Sequence, residues 1–163
     1  MATTFLEPGT DATFDFSLFP ITAVVVGNSL SSATDQVNTG PRSIKSVVTV
    51  VNSNAYCVTP NGVVADAGAL VSAFVRFSSV APSVNTGFIG VEQADDGSST
   101  LGISLDTNGT LAICANTVAD FTKVNGATVL VADTWYRISF AYVITSTTNW
   151  SCKLYLNGCW RKP

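Results

Sequence analysis

β-Branched and aromatic residues crowd into short runs separated by clusters of Gly, Asn, Asp, Pro and Ser, and no window carries an apolar stripe at helical spacing over three turns. This pattern predicts an all-β chain. Strands are expected near Ala23–Val26, Ser43–Val51, Leu70–Ser78, Phe88–Gln93, Leu101–Leu105, Thr110–Cys114, Thr128–Val131, Trp135–Ile144 and Trp150–Leu156. Three of these show their pleat, because successive side chains of a strand point to opposite faces. Val71, Ala73, Val75 and Phe77 share one face, with Ser72, Phe74 and Arg76 on the other. Tyr136, Ile138, Phe140 and Tyr142 form a second core set, opposed by Trp135, Arg137, Ser139 and Ala141. Trp150, Cys152, Leu154 and Leu156 form the third, opposed by Ser151, Lys153 and Tyr155.

The segment Leu101–Ala115 allows a sharper prediction. A two-residue Asn108-Gly109 turn would pair Leu105 with Ala112 and split the apolar residues between the two faces. A three-residue loop, Thr107-Asn108-Gly109 with Gly109 left-handed, pairs Asp106 with Thr110 instead. That register gathers Leu101, Ile103, Leu105, Leu111, Ile113 and Ala115 on one face, so it is the one expected. Residues Thr145–Asn149 are expected to join the last two long strands into an antiparallel pair.

Length and composition narrow the class. The 163 residues suit one domain with one sizeable core, so a single β-sandwich over residues 1–163 is expected. Hydrophobic residues make up 47% and charged residues 12%, too apolar for disorder, and no apolar run is long enough for a membrane span. Eight Lys and Arg against a net charge of −3 leave no electrostatic footprint for nucleic acid. The opening MATTFLEPGTDATFDF lacks the basic and apolar regions of a secretory signal, so the chain is expected to be made in the cytoplasm and to stay there. Cys57, Cys114, Cys152 and Cys159 are widely spaced without a CxxC pair and are expected to be free thiols.

From Leu70 onward the elements SAFVRF, GFIGVEQADDG, LGISLDTNGTLAI, TWYRISFAYVI and LYLNG follow one another in an order that resembles the laminin-G-like, concanavalin A-like jelly-roll sandwich. The resemblance covers roughly residues 70–158. Upstream, Asn38–Lys45 resembles a segment common in the N-terminal strands of jelly-roll carbohydrate-binding modules. The resemblance implies an antiparallel β-sandwich, and it suggests two roles: a virion decoration or fibre-like component of a bacteriophage, or a lectin-like module. In the family further strands follow the LYLNG turn, whereas here only Cys159–Pro163 remain, so a closing strand is expected to be missing.

The chemistry that is absent is informative. Without histidine the chain has no Ser-His-Asp or Cys-His machinery and no His-containing zinc site. Glycosidases that resemble this fold use paired carboxylates on a strand, but Glu7 and Glu92 are the only glutamates and form no such motif. No enzymatic activity is expected. Asp95 and Asp96 with Ser98, and next Asp106 with Asn108, are the clusters that calcium would use, although setting turns is the favoured role for both and no cofactor is expected. A glycan would stack on an aromatic flanked by polar groups, and Arg76, Trp135, Arg137 and Tyr155, with Phe74 and Lys153, are the candidates. Packing under a loop or against the missing closing strand is the preferred reading of those side chains.

The expected function is therefore a non-catalytic structural protein that assembles with copies of itself or a larger particle, with a carbohydrate-binding module as the alternative. The expected contact is the sheet edge bearing Trp150, Leu154, Leu156 and Trp160, because an edge left open presents unpaired backbone groups to another chain.

Overall fold

A computed structural model of the chain describes residues 2–7, 21–35, 43–49, 55–58, 68–92, 100–116, 121–146, 149–157 and 159–161. Among these residues there are thirteen strands and no helix: β1 (Ala2–Glu7), β2 (Ile21–Val24), β3 (Ser29–Ala33), β4 (Ser43–Val48), β5 (Ala55–Val58), β6 (Gly68–Phe77), β7 (Thr86–Glu92), β8 (Thr100–Leu105), β9 (Thr110–Asn116), β10 (Phe121–Val129), β11 (Trp135–Ser146), β12 (Asn149–Leu156) and β13 (Cys159–Arg161). They form a seven-stranded sheet in the order β13-β12-β11-β6-β1-β4-β3, a four-stranded sheet in the order β10-β9-β8-β7, and the pair β2-β5. The registers are antiparallel. The chain divides into two compact units, one of Met1–Pro60, Ala73–Ser79 and Ala132–Arg137, the other of Asn61–Ser72, Val80–Val131 and Ile138–Pro163. Strands β6 and β11 contribute residues to both.

The second unit is organised by the β8–β9 hairpin. The Asp106 N–H donates to the Thr110 carbonyl at 2.8 Å, and the Gly109 N–H donates to the Asp106 carbonyl at 2.9 Å. This is the three-residue loop that the apolar pattern predicts, with Gly109 at φ +83° and Leu105 opposite Leu111. A side chain at 109 would meet the Val80 carbonyl oxygen at 3.0 Å as well as a strained backbone. Six residue pairs follow without a register shift. Leu101, Ile103, Leu105, Leu111 and Ile113 are all buried on the shared face.

On the seven-stranded sheet, Ile138, Phe140, Tyr142, Leu154 and Leu156 are buried in the same unit. Leu111 of one sheet and Leu154 and Leu156 of the other line a common cavity of about 10 Å³, at the lower limit for one water. Two sheets therefore meet face to face across a packed apolar layer, which makes this unit a β-sandwich. Each Leu or Ile so buried contributes roughly 1.5–3 kcal/mol relative to an exposed side chain.

In the first unit, β1 lies between β4 and the end of β6, with Phe5 opposite both Lys45 and Arg76. Its core holds Val75, Phe77, Ile44 and Ala33. The turn after β2 is closed by the Asn28 N–H on the Val25 carbonyl at 2.9 Å. Thr49 fastens that turn to the end of β4, its N–H donating to Asn28 Oδ1 at 2.9 Å and its hydroxyl to the Gly27 carbonyl at 2.6 Å.

Several elements differ from the sequence expectation. Strands β1, β3, β5 and β13 were not expected, and β10 runs from Phe121 to Val129 where only Thr128–Val131 was expected. The Asn125-Gly126 pair in this segment carries the local signature of a turn, but the structure uses it at a register shift between Asn125 and Val129. The strand expected to be the last is not, because β13 turns back through Asn157 at φ +52° and pairs with Leu154–Leu156. The antiparallel pairing of the two long strands is as expected, though β11 and β12 extend to Ser146 and Asn149 and shorten the connection.

Candidate functional site

The face of the four-stranded sheet opposite the core is polar for a reason visible in its register. Since Leu105 and Leu111 point inward, Ser104, Asp106, Thr110, Ala112 and Cys114 point outward, and Asn125 and Lys123 of β10 lie opposite Ala112 and Cys114. Small residues, Gly87, Gly90 and Gly102, occupy the neighbouring outward positions of β7 and β8. Over this floor three polar side chains and one backbone N–H converge on Asp106, which is only 6% exposed.

Lys123 Nζ donates to Asp106 Oδ2 at 2.8 Å, and Asn125 Nδ2 donates to the same oxygen at 2.7 Å. Asp106 Oδ1 accepts from the Thr107 N–H at 2.7 Å and, with the Asn85 amide in the orientation that satisfies both of its groups, from Asn85 Nδ2 at 2.5 Å. The Asn85 amide closes the circuit, its Oδ1 accepting from Lys123 Nζ at 2.9 Å. The hydrogen bond from Lys123 is the main cause holding the Asp106 carboxyl below its ordinary value of 3.8, with smaller help from the Thr107 N–H and Asn125 against the opposing effect of burial. The cluster is therefore an ammonium, a carboxylate and two carboxamides with every carboxylate oxygen engaged. Beside it, Asn108 Oδ1 accepts from the Thr110 N–H at 3.0 Å and from its hydroxyl at 2.7 Å. Asp106 and Asn108, weighed from the sequence as a second calcium cluster, thus build the hairpin end.

Of the other expected site residues, Arg76, Trp135, Arg137 and Tyr155 lie on β6, β11 and β12. Arg76 on β6 pairs with Asp133 at 2.7 Å, its side chain 13% exposed. Asp133 itself donates its N–H to the Phe77 carbonyl at 2.8 Å. Trp135 is half-buried and Arg137 exposed in the same unit, while half-buried Tyr155 belongs to the other unit, where it lies opposite Ser139. Leu154 and Leu156 are core residues, 3% exposed each, so their side chains face the sandwich interior. Trp150 lies on β12 opposite Ile144, and Trp160 on β13 opposite Tyr155. Asp95 and Asp96 lie outside the described residues. Among the described residues, no group of three or more His, Cys, Asp or Glu stands together.

Cys114 and Cys152 are free thiols. Cys114 shares a hydrogen bond with the Ser104 hydroxyl at 3.2 Å. Burial pushes the Cys152 thiol up to about 11, opposed by a weaker backbone contact from Lys153. Such a thiol is a poor nucleophile at neutral pH.

A second feature of this unit is the strand β10. It ends the four-stranded sheet, with β9 as its only strand neighbour among the described residues. Val124 is 43% and Val129 61% exposed on it, and Val131 just beyond is 63% exposed. Lys123 is the one charged residue in Phe121–Val131, and its charge is met by Asp106 of the same chain. Sequence reasoning missed both the polar cluster and this edge. The signal that could have found them was the Thr122, Val124 alternation leading into Asn125.

Comparison with protein-family models, with curated proteins and with solved structures returned no match to this chain.

Proposed function

We infer that the protein is a non-catalytic structural module that works by associating with copies of itself, as a building block of a particle surface or fibre does. The observation that carries this reading is β10, a nine-residue edge strand with exposed valines and no uncompensated charge. Soluble monomers blunt such edges with charge, proline or bulges, since the row of backbone N–H and C=O groups otherwise recruits another strand. Here the register shift after Asn125 is the one such device, and Phe121–Asn125 pairs regularly with β9 on its inner side.

A second copy suits this edge because two β10 strands meeting antiparallel bring no like charges together. Each Lys123 is already neutralised within its own chain. Exposed Leu70 and Val143, 63% and 49% exposed, add apolar surface to the same unit. A glycan-binding reading has less support, because Arg76, one of its candidate side chains, is committed to Asp133.

Sedimentation velocity over a dilution series at micromolar concentration tests the reading. Association that falls on dilution is expected, and Val124→Lys with Val129→Lys should shift the protein to monomer without unfolding it. A monomer of constant mass throughout the series would return the advantage to a stand-alone binding module.

A further inference from the structure

Lys123, Asn85 and Asp106 place an amine, a carboxamide and a carboxylate within hydrogen-bonding distance of one another. Lys123 Nζ is 2.8 Å from Asp106 Oδ2, and with the Asn85 amide in its hydrogen-bond-satisfying orientation Nζ is 2.9 Å from Asn85 Oδ1 while Asn85 Nδ2 is 2.5 Å from Asp106 Oδ1. The carboxylate thus touches both the amine and the –NH₂ group that a substitution at the Asn85 carbonyl would expel. It is itself held still by the Thr107 N–H and by Asn125. The Asn85 carbonyl carbon stands one C=O bond, about 1.23 Å, behind Oδ1. Nζ and that carbon therefore lie within roughly 3–4 Å, close to the separation of a near-attack arrangement.

The remaining requirement is orientation, since an amine attacks a carbonyl over its face rather than along its edge. The terminal torsion of an Asn side chain is broad. Asn85 stands before the first residue of β7 and is exposed, so its amide has room to turn.

We propose that this triad is a self-modification site, at which the Lys123 amine displaces ammonia from the Asn85 carboxamide and leaves an intramolecular amide cross-link. Asp106 first takes a proton from the Lys123 ammonium. The freed lone pair of Nζ attacks Cγ of Asn85, forming the Nζ–Cγ bond as the C=O electron pair moves onto Oδ1. Asp106 hands its proton to Nδ2 and accepts one from Nζ. The carbonyl then re-forms, the Cγ–Nδ2 bond breaks, and ammonia departs and takes the last proton from Asp106 as ammonium. One ammonium side chain and one carboxamide become one secondary amide and one ammonium ion. No oxidant, reductant or activating group is needed.

The attacking nitrogen starts as an ammonium held by a carboxylate and must lose a proton before it can attack, so the step is slow. It is also one-way, because the ammonia diffuses off, and product accumulates. The bond would tie the segment before β7 to β10, the two ends of the four-stranded order β10-β9-β8-β7, and so enclose β7, β8, β9 and the start of β10 in one covalent ring. Cross-links of this kind stabilise by restricting the unfolded chain, which suits a module that must hold its shape in an assembly.

Intact-mass spectrometry of the purified chain, followed over days at pH 7 and at pH 9, reads the outcome directly. A species lighter than the sequence mass by one ammonia is expected, growing faster at pH 9, together with a tryptic peptide that joins Lys123 to Asn85 and resists cleavage after Lys123. Lys123→Arg should keep the ion pair and stay at its full sequence mass. An unchanged wild-type mass overturns the proposal. So does an ammonia loss that persists in Lys123→Arg, since a succinimide at an Asn-Gly pair would produce it without any cross-link.

Discussion

Strand β9 has two neighbours that it treats differently. With β8 it keeps one register from Thr100↔Asn116 to Leu105↔Leu111, while with β10 the register holds from Phe121 to Asn125 and is then displaced before Val129. The side chains explain the contrast. On the β8 side Leu101, Ile103 and Leu105 are 0–2% exposed, and a slip of one residue would turn all of them away from the sandwich core onto the face that carries Ser104 and Asp106. On the β10 side Val124 and Val129 are 43% and 61% exposed, so almost nothing is lost when the ladder shifts. Register is specified where burial depends on it and left loose where it does not.

The largest test of this contrast is truncation of apolar side chains on the two flanks. Ile103→Ala or Leu105→Ala should destabilise the protein by about 2–5 kcal/mol, because each leaves a cavity between close-packed layers. Val129→Ala should change stability by no more than about 0.5 kcal/mol. Chemical denaturation of the three variants gives the answer, and comparable losses at 105 and 129 would mean that β10 is covered as deeply as β8.

A matched pair of glycines gives the next largest effect. Gly109→Ala places a Cβ 3.0 Å from the Val80 carbonyl oxygen at φ +83°, and the left-handed backbone alone costs about 1–2 kcal/mol. Gly126→Ala brings its Cβ 3.1 Å from the Leu111 carbonyl oxygen, but at an edge that can move outward. Its cost should stay under about 1 kcal/mol. Thermal melts that rank the two in the opposite order would show that the register shift in β10 is a fixed feature rather than a tolerated one.

The smallest effect concerns the carboxylates that pin each unit. Asp106 is braced by Lys123, the Thr107 N–H and Asn125, whereas Asp35 meets Lys45 at 3.0 Å with its side chain 56% exposed. Both carboxyls are held below 3.8, in each case chiefly by the hydrogen bond from the lysine. A depressed folded-state value means that the stabilisation is complete above the ordinary value and is lost as pH falls through the depressed one. Unfolding midpoints measured from pH 5 down to pH 2 should therefore fall, and Asp106→Asn should flatten that acid limb more than Asp35→Asn. Equal flattening would show that burial of the ion pair on the four-stranded sheet has no consequence.

How much of this was legible beforehand follows the same line. The β8–β9 loop could be read to the residue, because the Thr107–Gly109 register alone collects the apolar side chains on one face. The core faces of β6, β11 and β12 were legible from alternation for the same reason. The polar cluster was not, since Asn85, Asp106, Lys123 and Asn125 are separated in sequence and none carries a local motif. Of the expected glycan residues, the sequence placed Arg76 and Arg137 on the correct strands but could not show that Arg76 is engaged by Asp133.

The amino-acid sequence by itself determined the all-β character, the antiparallel hairpins and the inward side of each well-packed strand, because these depend on period-two alternation and turn chemistry between near neighbours in the chain. Only the tertiary structure decided that β1 inserts between β4 and β6, that β13 returns onto β12, that β10 becomes an exposed edge, and that an amine, a carboxamide and a carboxylate converge outside the sandwich. Those outcomes depend on which distant strand competes best for a given row of backbone N–H and C=O groups. That competition is settled by the burial each pairing gains across the whole sheet, which no local stretch of sequence encodes.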